Sequence, residues 1–129
     1  MERTSFKYQA IQFSKSNGDA PGTFHFKEQL DENFDEVVGL EAYETTGSNQ
    51  NYKIGVEDDI STKHDAVNKN SLLTNANVGQ DQKAKPINFD IIEGKKTRVV
   101  ISFDTALTAD IAGEVVFKLA KREVAATSR

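Results

Sequence analysis

Two histidines and two runs of acids hold most of the groups in this chain that could do chemistry. His64 stands beside Asp65 and near Ser61. A Ser-His-Asp triad needs those three groups to converge from rigid positions, with an oxyanion hole close by. Near-neighbours on one stretch cannot orient one another that way, so His64 reads as a solvent-facing residue. His25 falls on the polar phase of an alternating segment and reads the same way. The acidic runs are Asp31-Glu32-Asn33-Phe34-Asp35-Glu36 and Glu57-Asp58-Asp59. Either could offer oxygen ligands to a hard cation, but neither has the alternate acids, central glycine and closing glutamate of an EF-hand. Paired carboxylates for glycoside hydrolysis would need one cleft with sugar-stacking aromatics. The chain has no tryptophan, and its three tyrosines are scattered. Gly94-Lys95-Lys96-Thr97 has the look of a phosphate loop, yet Phe89 stands where the first Walker glycine belongs and a strand pattern follows in place of a helix. No cofactor and no metal is expected, and the chain does not read as an enzyme.

Composition narrows the classes further. The 129 residues suit a single domain, 1–129, and include no cysteine. Disulfides, thiolate metal sites and cysteine nucleophiles are thereby excluded. Sixteen basic residues against twenty acidic ones give a net charge of −4. That balance disfavours nucleic acid as a partner, since the phosphate backbone attracts a basic surface. No apolar run reaches the length of a membrane span. The opening MERTSFKYQA lacks the apolar stretch of a secretory signal, and no N-x-S/T sequon occurs. These features predict a protein made and used without export.

The elements that must position any site are strands. Residues alternate apolar and polar in seven runs, the pattern of half-buried strands. Phe6 and Tyr8 alternate, and Ile11 and Phe13 continue on the opposite phase, which predicts a bulge near Gln9–Ala10 or a strand covered on both faces. Phe24 and Phe26 follow, then Val38, Leu40 and Ala42, then Tyr52, Ile54 and Val56. Ile87, Phe89 and Ile91 precede Glu93-Gly94-Lys95-Lys96, and Val99, Ile101 and Phe103 come after it, which predicts a hairpin. Val115, Phe117 and Leu119 make the last run, beginning after Gly113. Residues 106–112 read as a loop or helical turn that sets Leu107 and Ile111 over one end of the core. From Glu57 to Pro86 alternation fades, predicting a long loop or weakly structured excursion, with a short helix or weak strand over residues 65–73. The polar tail, 121–129, is expected to fray. The prediction is an all-β fold, an antiparallel sandwich of jelly-roll type. A jelly roll has eight strands, and the eighth would have to lie within 57–86.

The segments VVGLEAYETTG (37–47), YKIGVEDDI (52–60), INFDIIEGKKTRVVISFDTAL (87–107) and GEVVFKLAK (113–121) give the chain its closest likeness. It resembles the small β-sandwich proteins of phage virions, of the vertex (penton) or capsid-decoration type. That resemblance implies a structural protein of the virion, assembled in the host cytoplasm. Its implied partners are other copies of itself and other capsid proteins, in symmetric contacts. It transfers no binding residue. Two other readings stand beside it: a ligand- or carbohydrate-binding adhesin-type sandwich using the 57–86 excursion, and an enzyme whose site is not visible in sequence.

Interface residues are sought among aromatics, long loops and charge. Phe34 and Tyr43 flank acids and could anchor a contact. Asn75 and Asn77 suit adaptable polar contacts in the excursion. Acids dominate residues 31–65, whereas Lys95, Lys96 and Arg98 open a basic stretch that continues through Lys118, Lys121 and Arg122. On separate faces these would steer neighbouring copies together, or the bases alone would make an anion patch.

Overall fold

A computed structural model of the chain describes residues 2–47, 50–58, 60–69 and 85–124. Eight strands form among them: β1 (Glu2–Lys15), β2 (Gly22–Glu28), β3 (Glu36–Thr46), β4 (Lys53–Glu57), β5 (Thr62–Asn68), β6 (Lys85–Asp90), β7 (Thr97–Phe103) and β8 (Ile111–Val124). They make two four-stranded sheets, in the orders β1-β8-β3-β6 and β2-β7-β4-β5, with every pair antiparallel. The first half of the chain pairs with the second half: β1 with β8, β2 with β7, β3 with β6 and β4 with β5.

Alternation explains why the two sheets face each other. Ile54, Val56, Val99, Ile101, Val115, Phe117 and Leu119 are all fully buried, and each run sends every second side chain inward. Leu40, Ala42, Tyr52, Phe89 and Phe103 join the same core, with Phe24, Phe26, Ile87 and Ile91 packed against it. Aromatic rings stitch the sheets together: Phe13 lies 6.5 Å from Phe26 and 5.9 Å from Tyr52, centroid to centroid. Such pairs add about 0.5–1.5 kcal/mol beyond simple area burial. Leu107 and Ile111 cap one end as the sequence predicts, and Gly18 donates its amide to the Leu107 carbonyl at 2.8 Å.

Four expectations change and one is met. The Gln9–Ala10 bulge is absent: β1 pairs with β8 from Glu2 opposite Val124 to Lys15 opposite Ile111 without a register shift. Phe6 and Tyr8 therefore lie on the outer face, and Ile11 and Phe13 on the inner one. In β3 the register does shift, between Val37 and Gly39, so Val37 enters the core in place of Val38. The segments on either side of Gly94 do not form a hairpin. β6 pairs with β3 in one sheet, β7 with β2 and β4 in the other, and residues 91–96 carry the chain across. The Ile91 amide is held by the Asp35 carbonyl, and Gly94 takes a positive φ of 79° to complete the turn. The excursion holds the eighth strand, as the strand count required: β5 occupies residues 62–68; residues 70–84 lie outside the described part. Finally, β8 begins before Gly113 and extends to Val124, so the first four residues of the presumed tail are paired strand.

Candidate functional site

Tyr43 is the predicted interface residue that the fold places most usefully. It sits on β3 opposite Glu114 of β8, on the outer face of the β1-β8-β3-β6 sheet. Its hydroxyl donates to Glu41 Oε2 at 2.6 Å. Glu41 occupies an outward position on the same strand, yet only 2% of it is exposed, and its other oxygen, Oε1, has no hydrogen-bond partner. Burial, together with the bond to Glu41, raises the Tyr43 hydroxyl to about 12. On β1, Phe6 and Tyr8 point outward from the same sheet and stay 54% and 39% exposed. They stand opposite Ala120 and Lys118 of β8, and the Lys118 ammonium rests over the Phe6 ring, 4.6 Å from its centroid. Phe6, Tyr8, Ala10, Val116 and Tyr43 thus give this face an apolar and aromatic character that a sheet open to water usually lacks.

The other predicted residues scatter. Phe34 packs partly against the core, with the Lys7 ammonium 6.0 Å from its ring centroid. It is a packing residue rather than a free anchor. Lys95 and Lys96 are exposed on the connection between β6 and β7. Arg98 does not join them in a basic patch. It lies on the outer face of the other sheet, where its guanidinium donates to the Asp58 carbonyl at 2.7 Å and meets Glu57 at 3.2 Å. Asn75 and Asn77 lie outside the described residues.

Among the described residues the acidic and basic stretches meet in space at Arg98 and Glu57, and other acids are held by groups outside the basic stretch. Lys7 pairs with Asp31 at 2.7 Å, and that bond, with one from the Asn33 amide, holds the Asp31 carboxyl below its usual range. Asp58 is buried, which pushes its carboxyl up. Hydrogen bonds from the Ser61 and Ile60 amides, with Lys63 nearby, outweigh this and leave it lowered. These acids fasten turns. His25 is less free than its polar phase suggests, with Nε2 3.3 Å from Glu57 Oε1. His64 Nδ1 contacts the backbone carbonyl of Asp65 at 2.8 Å rather than a carboxylate, so Ser61, His64 and Asp65 are not aligned for proton relay.

Besides Glu41, a second buried charged group escaped the sequence. Lys69 follows β5 and is only 2% exposed; its ammonium donates to Glu44 Oε2 at 2.8 Å and to the Gly47 carbonyl at 3.2 Å. The Tyr52 hydroxyl donates to the same Glu44 oxygen at 2.5 Å, and burial keeps that phenol strongly in its neutral form. The cluster ties the end of β5 to β3. Its one local trace is an acid, Glu44, on the inward phase of β3 shared by Leu40 and Ala42; its members are otherwise distant in sequence.

Among the described residues no group of three or more potential metal ligands comes together, and no helix is long and apolar enough to cross a membrane. A groove of about 530 Å³ runs between the edges of β1 and β2, lined by Ala10, Ile11, Gln12 and His25 to Glu28. Fold and surface together define an antiparallel β-sandwich with one aromatic outer face and an open edge beside it. Comparison with known proteins finds no matching family model, no matching curated protein and no matching solved structure.

Proposed function

We propose that this chain is a non-enzymatic structural protein that works by assembly, as a capsid component of a phage virion at a vertex or as a decoration, and that its sandwich is a jelly roll. The observation that carries the reading is the pairing order. First strand pairs with eighth, second with seventh, third with sixth and fourth with fifth, an order that supports the rolled double Greek key of the jelly-roll reading, an architecture used by capsid domains. The same architecture serves lectins, so topology alone does not set the function. The aromatic outer face and the long open strand β1 favour a partner of protein over a small ligand.

The test is native mass spectrometry of the purified chain, paired with electron microscopy. Assembly predicts masses at multiples of 14.3 kDa and rings or larger closed particles. A strict monomer that also joins no larger particle would sink the reading.

A further inference from the structure

The four sheet edges are not alike. β5 is short, and its pairing with β4 is broken twice by register shifts. β6 has six residues and β2 seven. Short or bulged edges resist unwanted pairing. β1 is different: fourteen residues long, regular throughout, and at the margin of its sheet. Among the described residues no backbone–backbone bond reaches its outer edge; the Gln29 carbonyl and the Asp31 amide engage only the Gln9 side chain. The groove beside Ala10–Gln12 leaves room there. Exposed Phe6 and Tyr8 stand on this same strand.

We propose that β1 is the dimerisation edge of this protein, and that its occupant is β1 of a second copy, paired antiparallel about a two-fold axis at Tyr8. This rests on the assembly reading and names the surface it uses. A two-fold axis perpendicular to the sheet pairs the edge strands antiparallel, and each residue faces one on the same side of the sheet. Only registers centred on a residue are then allowed. Centring on Lys7 sets Lys7 against Lys7. Centring on Gln9 sets Arg3 against Lys15. Like charges directly opposite are destabilising. Centring on Tyr8 pairs residues 2 to 14 with no like charges opposed: Glu2 faces Ser14, Arg3 faces Phe13 and Lys7 faces Gln9. It is the longest register free of that conflict. On the outer face it sets Tyr8 against Tyr8 and Phe6 against Ala10, so Phe6 and Tyr8 of both copies close into one apolar cluster over the join. The two four-stranded sheets become one of eight strands.

The chain has no cysteine, so a single engineered one reports without interference. Tyr8→Cys places two thiols opposite each other on the axis. Opposed Cα atoms in an antiparallel pair lie about 4.5–5.5 Å apart, within reach of a disulfide. Ser14→Cys, on the same face, would stand roughly 40 Å from its mate at about 3.4 Å per residue. Under mild oxidation, Tyr8→Cys is expected to shift to the covalent dimer while Ser14→Cys stays at the monomer mass under denaturing conditions. Tyr8→Lys, a change at an exposed position, is expected to turn the wild-type dimer into monomer in native mass spectra. If the wild type assembles but Tyr8→Cys does not cross-link, or both cysteine variants cross-link alike, the edge is wrong and assembly uses another surface. A wild type that is monomeric and joins no particle overturns both this proposal and the reading beneath it.

Discussion

At the scale of single residues, two buried polar groups carry the clearest consequences. Glu41 is buried with one oxygen unpartnered, and its other oxygen accepts a hydrogen bond from the Tyr43 hydroxyl. An unsatisfied buried acceptor costs more than a hydrogen bond gains. Tyr43→Phe should therefore lower stability by about 1–3 kcal/mol, read as a shift in the urea midpoint. Lys69 sits in the Glu44 and Tyr52 cluster, shielded from water. Removing one partner of a buried pair leaves the other charge uncompensated. Lys69→Ala should cost about 3–5 kcal/mol, and Lys69→Ala with Glu44→Ala should cost less than the two single changes added together.

At the scale of elements, β8 is the spine of its sheet, flanked by β1 and β3. Gly113 stands opposite Phe13 of β1 on one side and Glu44 of β3 on the other. A Cβ there would run into the Tyr43 carbonyl oxygen and stand 2.6 Å from the Phe13 ring. Backbone and a buried ring cannot yield easily. Gly113→Ala should destabilise by at least about 1–3 kcal/mol, as overpacking does, and widen the near-ultraviolet difference spectrum around Phe13 and Tyr52. Gly94 makes a useful contrast. A Cβ there meets nothing within 4 Å, but φ is +79°. Gly94→Ala should cost only about 1–2 kcal/mol, the strain of a left-handed conformation.

At the scale of the whole molecule, stability should fall at both ends of the pH range for separate reasons. Asp31 and Asp58 bind protons less tightly in the folded chain than in the unfolded one. Their contribution is present above the ordinary carboxylate value of 3.8 and is lost as pH drops through their lowered folded values. Tyr43 and Tyr52 bind protons more tightly when folded. Their contribution is complete below the unfolded value of 10.0 and drains away as pH climbs toward about 12 for Tyr43. Melting temperatures measured across pH should trace that dome. The proposed assembly would add a dependence on concentration, because a partner that binds only the folded state stabilises it by mass action. The melting temperature should rise with protein concentration in the wild type and stay flat in Tyr8→Lys.

Local pattern alone determined most of the side chains that turn inward, though not the exchange of Val38 for Val37 at the register shift in β3. Val99, Ile101, Val115, Phe117 and Leu119 could be named as core because period-two alternation is a property of neighbouring residues. The all-β class followed from the same runs. Only the tertiary structure decided which strand lies beside which. β6 and β7 alternate as two arms of a hairpin would, yet they enter different sheets, since alternation is identical whatever the partner. β5 was faint in sequence because an edge strand with mostly exposed residues has little apolar phase to show. Tyr43 was legible as a surface aromatic, whereas Arg98 with Glu57, and Lys69 with Glu44, meet across stretches of chain that no local pattern spans. The outward turn of Phe6 and Tyr8 was written in their opposite phase to Ile11 and Phe13. It took the unbroken register of β1 against β8 to tell that phase change from a bulge.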